Sequence, residues 1–343
     1  MTETKCFALT TRGLEHVCAA EMRRLPGVSI EEVSYRRITA IKDGPLDALL
    51  TLRTVDDIFL DLGKWTGIVP QRVALESLKL NAASMNWGNY SKEIAKMRHL
   101  PEQPGYSITT NFVGKRNYTT TEIKQAVMQG ISTRVAWPYH EDEFASDVNL
   151  RIFIDHETAF IGLRLAKQSL QVRSYKQRHI LGSLKPPVAA AMLLLAGEQT
   201  NQVLLDPFCG AGTILIEARF AGYISLGGDK SWDAVLAAKK NLLAANFQTQ
   251  LHCWDACNLP LTNHSVGRIA SNMPWGRQVR VNQDITLLYN QACKEMERVL
   301  LPGGKVVLLT SFPELIHFDR LLISQKLEIS LYGQNPNILI YTN

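Results

Sequence analysis

Through the first 166 residues, apolar positions recur in short runs whose period switches between two and about 3.6. Residues 6–10 read as a strand. In 13–25, Leu14, Val17, Cys18, Met22 and Leu25 share a helical face, and Pro26-Gly27 stops that helix. Residues 28–41 alternate like a strand or hairpin, 58–68 predict another strand, and 71–99 predict a helix broken at Asn86-Trp87-Gly88-Asn89. A loop at 101–105 leads to an alternating strand at 106–113. Thr119 with Glu122 three residues on has the spacing of a capping box, opening a helix that reaches about Val135. Residues 149–154 and 158–165 predict a hairpin turning at Asp155-His156-Glu157. This half reads as α+β.

Beyond residue 201 the pattern becomes regular. Strands are expected at 203–206, 223–229, 250–255, 268–272 and 305–310, with helices at 213–222, 232–246 and 284–300 between them. Such alternation builds an α/β, doubly wound, Rossmann-like parallel sheet. Two last strands, 327–332 and 338–342, are joined by Gly333-Gln334-Asn335-Pro336-Asn337, too short for a crossover helix, so an antiparallel edge hairpin is expected. Between the halves, no acid occurs from Glu157 to Glu198, while Arg164, Lys167, Arg173, Lys176, Arg178 and Lys185 do. That window reads as a basic linker followed by an apolar helix at 187–196.

The 343 residues, 46% hydrophobic and 20% charged, fit a folded chain of two or three domains. The net charge of +5 permits a polyanionic partner. The six cysteines are scattered, with Cys253 and Cys257 the nearest pair, and nothing completes a metal site around them, so no metal is expected. The start lacks the charged-then-apolar order of a secretory leader, and the apolar run at 188–197 is too short to span a bilayer. A cytoplasmic protein without membrane contact is expected, with a monomer favoured.

Candidate chemistry sits at the ends of the regular strands. Leu204-Leu205-Asp206-Pro207-Phe208-Cys209-Gly210-Ala211-Gly212-Thr213 runs from apolar strand to acid, glycine turn and helix start. Gly210 and Gly212 let the backbone approach a ligand closely. A phosphate binder would carry G-x-G-x-x-G or a Lys-Ser/Thr after the glycines, and neither is present. Asp206 suits a cationic ligand such as the methionine end of S-adenosylmethionine. Asp229, closing the next strand, suits ribose hydroxyls, and Asp255, closing the third, suits an adenine amine. After the fourth strand come Asn272-Met273-Pro274-Trp275-Gly276-Arg277. An exocyclic ring amine is a weak nucleophile because its lone pair is delocalised. Accepting its two N–H groups, at the Asn272 oxygen and a main-chain carbonyl near Pro274, localises that pair and aims it. Trp275 offers a face for the base, and Arg277 can hold a phosphate.

These residues, with Ile214-Leu215-Ile216-Glu217-Ala218 and Val299-Leu300-Leu301-Pro302-Gly303-Gly304, resemble the THUMP-domain tRNA guanine-N2 methyltransferases. The resemblance implies a ferredoxin-like unit at 1–56, a THUMP RNA-binding domain at 57–166, a basic linker at 167–182 and a methyltransferase domain at 183–343. It implies S-adenosylmethionine as cofactor, held by Asp206, Phe208, Gly210, Gly212, Asp229, Lys230, Asp255, Ala256 and Asn272, with Asn272, Pro274 and Trp275 holding the guanine. tRNA is the implied partner. The Asn-x-Pro-Trp-Gly-Arg form is closer to the branch acting at acceptor-stem position 6 than to the Asp-Pro-Pro-Tyr branch acting at position 10. Phosphate contacts are expected from Lys115, Arg116, Arg173, Lys176, Arg178 and Arg277. The alternatives are N2-guanine methylation at position 10 or in rRNA, adenine N6 methylation in DNA, and an RNA-binding protein without activity.

Overall fold

The computed structural model describes residues 3–197, 202–276 and 284–342. The N-terminal part runs β1 (Glu3–Leu9), α1 (Glu15–Arg23), β2 (Val28–Ser34), β3 (Arg37–Asp43), β4 (Asp57–Thr66), α2 (Ala74–Ser84), α3 (Trp87–Ala95), β5 (Tyr106–Phe112), α4 (Thr120–Ser132), β6 (Val148–Asp155) and β7 (Thr158–Arg164). Its seven strands form one sheet in the order β2-β3-β1-β4-β7-β6-β5, continuous across the expected boundary at 56/57. β4, buried along most of its length, pairs with β1 on one side and β7 on the other, so neither half of this sheet is separate. Local signals behave as the sequence suggests. The Asn86 side chain accepts the Asn89 N–H and restarts the helix as α3, and Thr119 and Glu122 close a reciprocal capping box on α4.

The C-terminal part runs α5 (Pro186–Ala196), β8 (Val203–Asp206), α6 (Thr213–Phe220), β9 (Ile224–Asp229), α7 (Trp232–Ala244), β10 (Gln250–Cys253), β11 (Val266–Asn272), α8 (Ile285–Val299), β12 (Leu300–Thr310), β13 (Leu322–Glu328) and β14 (Asn337–Thr342). The strand order is β10-β9-β8-β11-β12-β14-β13, parallel except for β14, which is antiparallel to both neighbours. Period-two alternation sorts the side chains. Leu204, Ala270, Val307, Leu309, Ile338 and Ile340 join one core with residues of α5, whereas Leu205, Ile269, Val306, Leu308, Leu339 and Tyr341 join another with residues of α8. The terminal strands form the expected antiparallel edge hairpin, with β14 against β12 and β13 at the edge, but β13 starts at Leu322 rather than near 327. Most of β13 is exposed, so its sequence carries no burial alternation to mark it. Among the described residues, no helix is long and apolar enough to cross a membrane.

The two sheets share a core. α5 is apolar nearly all round because it packs against α1 on one side and against α6, β11 and β12 on the other. An ionic cluster ties the same junction. Glu217 of α6, with a fully buried side chain, accepts two bonds from Arg53 (2.6 and 2.9 Å), one from Arg173 (3.2 Å) and one from the Tyr175 hydroxyl (2.7 Å). Lys185 pairs with Asp56 at 2.7 Å nearby. A buried carboxylate held by several donors is costly to disturb, since removal of one partner strands the rest. Glu217→Ala is therefore expected to lower unfolding stability by about 3–5 kcal/mol, read by chemical denaturation; an unchanged midpoint would show that the cluster does not hold the junction.

Candidate active site

A cleft of about 1080 Å³ opens at the carboxyl ends of β8, β9 and β11, where open parallel sheets hold their ligands. Asp206 ends β8 and is buried. Its Oδ1 accepts both the Ser271 hydroxyl (2.6 Å) and the Phe208 N–H (3.2 Å), which leaves Oδ2 without a partner among the described residues. Burial pushes its carboxyl up to about 7, against the opposing pull of those two donors. Asp229 ends β9 and accepts the N–H groups of Gly210 (3.0 Å) and Ser231 (2.9 Å), one on each oxygen, so it braces the glycine turn. Burial raises its pKa as well. Asp255 lies two residues past β10. Lys230, bonded at 2.8 Å, holds its carboxyl below the usual range, and the Cys257 N–H adds a second bond at 2.9 Å.

Asp206, Asp229, Asp255, Phe208, Gly210, Lys230 and Ala256 all line the cleft. Gly212 does not. It sits at φ +79°, and a Cβ there would lie 3.0 Å from the Ala238 Cβ and 3.2 Å from its Cα, so the glycine admits α7 rather than a ligand.

The clamp residues meet at the end of β11. Asn272 donates from Nδ2 to the Gly182 carbonyl (3.3 Å) and accepts the Trp275 indole N–H at Oδ1 (3.0 Å). Opposite partners on the two ends of the amide settle which way it points. An amide oxygen has two lone pairs, so one of them is still available to a ligand N–H. The Pro274 carbonyl is in the same state: it accepts the Tyr289 hydroxyl at 2.9 Å and keeps a second acceptor site. Trp275 departs from its expected task. It lines the cleft but is only 7% exposed, and its role in this geometry is to orient Asn272.

The expected phosphate contacts divide. Lys115 and Arg178 are exposed. Arg116 is spent on the carbonyls of Ile68 and His156 and on the Tyr118 hydroxyl. Arg173 is committed to Glu217 and to the carbonyls of Leu170 and Arg53, and Lys176 to the Leu184 carbonyl, where burial lowers its pKa to about 8. Those three hold the chain together rather than face outward. Arg277 lies outside the described residues.

Sequence reasoning missed Ser271, Tyr289 and the stretch from Ile180 to Leu184, which lines the cleft with Tyr332. Ser271 stands beside Asn272, so inspection of the strand end could have found it. Nothing in α8 singles out Tyr289. In the linker, attention to its cations concealed the main-chain carbonyl that Asn272 uses.

Residues 173–328 match the family model described as RMKL-like, methyltransferase domain. Over 237 residues the chain is 27% identical to the tRNA (guanine(6)-N(2))-methyltransferase THUMP3 of Bos taurus, covering 64% of this chain and 46% of that one. Over 169 residues it is 34% identical to the U6 snRNA (guanine-N(2))-methyltransferase THUMPD2 of Mus musculus, covering 48% of this chain and 31% of that one. The chain thus spans less than half the length of these relatives. Crystalline TrmN from Thermus thermophilus superposes with a TM-score of 0.81 at 23% identity, covering all of both chains. The resemblance noted in the motifs is therefore matched in both sequence and fold, and the C-terminal half has the Rossmann-like methyltransferase fold.

Because Gly212 combines a left-handed backbone with contact against α7, Gly212→Ala is expected to destabilise the fold by about 1–3 kcal/mol. A denaturant titration measures this, and an unchanged stability would contradict the packing role.

Proposed function

We propose that this chain is an S-adenosylmethionine-dependent methyltransferase that modifies N2 of guanine in structured RNA, with tRNA as substrate and position 6 of the acceptor stem as target. One observation carries the reading. The Asn272 amide oxygen, its orientation set by Trp275 and Gly182, and the Pro274 carbonyl stand on the same cleft as the buried, half-partnered Asp206.

The residues present fit the donor. Oδ2 of Asp206 offers a buried anionic acceptor to a cationic methionine end. Asp229, at the end of the second strand, retains acceptor sites for ribose hydroxyls, and Asp255 with Ala256 stands at the end of the third, where adenine is expected. Ser183 also lines the cleft, with its Oγ buried and without a hydrogen-bond partner among the described residues. When bound, the donor supplies an electrophilic methyl group on a sulfonium. The chain supplies position. Asn272 Oδ1 and the Pro274 carbonyl accept the two amine hydrogens, push electron density onto nitrogen and fix its line of approach. The proton released after transfer leaves to solvent through the open cleft mouth.

RNA is supported by the acts that the relatives' names describe, and by a second complete sheet that shares a core with the C-terminal half and is tied to it through α5 and Glu217. Shape recognition of an A-form helix needs no base-reading motif. Position 6 is supported by the Asn-Met-Pro-Trp-Gly-Arg form and by the bovine relative's printed activity. A second reading, guanine N2 in a small nuclear RNA, has its own support in the 34% identity to the mouse U6 enzyme over 169 residues. Incubation of the protein with labelled donor and separate tRNA and U6 transcripts, followed by nucleoside mapping, distinguishes the two.

Asn272→Ala is expected to reduce methyl transfer by roughly 10²–10³-fold, the usual cost of losing one positioned polar group at a reacting centre, while donor affinity stays near normal. Asp229→Ala is expected to weaken donor binding by roughly tenfold or more. Calorimetry and a transfer assay on the same preparations separate the two effects, and near-normal turnover in Asn272→Ala would sink the clamp. Ionised Asp206 is the form that a cationic donor favours, and its carboxyl is protonated below about 7. Donor binding should therefore tighten as pH rises through 7, with proton release below it. Calorimetry in buffers of different ionisation enthalpy reads that proton, and a flat profile would contradict contact with Asp206.

A further inference from the structure

The connection between β13 and β14 ends in a turn that the hairpin alone does not account for. Ile329 N–H donates to the Pro336 carbonyl (2.9 Å), and Leu331 and Gln334 exchange both of their N–H···O bonds (2.9 and 3.0 Å), so the antiparallel ladder continues past the strands. Only Tyr332 and Gly333 remain between them, at φ +53° and +74°. A two-residue turn with both positions left-handed is type I′, which favours Asn, Asp or Gly first and Gly second. A tyrosine in the first position carries backbone strain, and such strain collects at functional sites.

The tip reaches the clamp. β14 runs antiparallel to β12, with Asn337 opposite Thr310, which places the turn at the carboxyl edge that carries the cleft. Tyr332 lines that cleft, stays 54% exposed, and donates its hydroxyl to the Ser183 carbonyl at 3.0 Å. Asn272 donates to the neighbouring carbonyl, that of Gly182. Tyr332 and Asn272 thus grip consecutive peptide units, whose Cα atoms are about 3.8 Å apart. Leu181, 81% exposed, lines the same cleft, whereas the clamp's own aromatic, Trp275, is mostly buried.

We propose that Tyr332 is the stacking platform for the nucleobase whose amine Asn272 and Pro274 hold. The proposal rests on the methyl-transfer reading above and adds to it the residue that fixes the plane of the base. A base must leave its stack to reach a cleft of this kind, and an aromatic face waiting at the mouth offsets the lost stacking. With its hydroxyl bonded to the Ser183 carbonyl, the residue still stays more than half exposed, so its ring is not enclosed. Every base offers a π-face, so the platform sets position and the amine clamp selects the atom.

The competing explanation is that Tyr332 merely ties the hairpin to the linker through its hydroxyl. Tyr332→Phe keeps the ring and loses the tether. Tyr332→Asn suits the turn and loses the ring. Steady-state methylation of an RNA substrate, thermal melting and donor calorimetry are measured on all three proteins. Tyr332→Asn is expected to melt at or above the temperature of the unaltered protein and to bind donor equally well. Its kcat/KM for RNA should fall roughly 5- to 150-fold, the range for one base–aromatic stack. Tyr332→Phe should stay within about threefold of the unaltered protein. Full kcat/KM in Tyr332→Asn would overturn the proposal, and so would an equal loss in Tyr332→Phe, which would assign the effect to the tether. If the unaltered protein binds donor but methylates no RNA, the methyl-transfer reading falls and the platform falls with it.

Discussion

The parallel pairing of β8 with β11 is the constraint on which the site depends. At this point the strand order reverses, β9 and β10 following on one side and β12 on the other. The register sets Leu204 beside Arg268 and Leu205 beside Ile269, and two residues further along β11 the Ser271 hydroxyl closes on Asp206 at 2.6 Å. Asn272 is the next residue. A slip of one residue in β11 would carry Ile269 from one core to the other and turn Ser271 away from Asp206. Asp206, proposed to meet the donor, and Asn272, proposed to meet the amine, are thereby placed together on one cleft before any ligand arrives.

A second layer of contacts fixes the groups that this register delivers. The Trp275 N–H and the Gly182 carbonyl orient the Asn272 amide, and the Tyr289 hydroxyl, which also bonds Thr310 at 2.9 Å, holds the Pro274 carbonyl. Gly182 belongs to the segment that also carries Arg173 and Tyr175 into the buried Glu217 cluster. Asn272 is therefore linked through this segment of chain to the cluster, which reaches Arg53 on the far side of the junction. A site meant to hold a reacting atom in line gains from such rigidity, because small errors of position cost rate steeply.

Much of this could be read from the residues. Regular alternation gave the parallel sheet, and apolar strands ending in Asp206, Asp229 and Asn272 marked the cleft, because strand ends and turn residues are local signals. What was missed depends on contacts and exposure that only the folded chain shows. Arg173 and Lys176 look like a solvated basic stretch until Glu217, 44 positions beyond Arg173, claims the former. Trp275 reads as a stacking surface until its N–H is found on Asn272. Gly212 reads as room for a ligand until α7 fills the space. β13 was misplaced because an exposed edge strand shows no burial periodicity. Resemblance of the motifs supplied the expectation of guanine and tRNA; the residues alone reached acidic strand ends suited to S-adenosylmethionine beside an amide clamp for an exocyclic amine.

The central claim is that the cleft above the Asp206 turn receives a sulfonium donor directly beside the Asn272 clamp. A crystal structure of the chain with S-adenosylhomocysteine tests it most directly. The account predicts the amino-acid end of that molecule near Asp206, its ribose near Asp229, and its sulfur on the side of the cleft that faces Asn272 and Pro274. A cleft left empty at saturating ligand, or a sulfur turned away from Asn272, would contradict it.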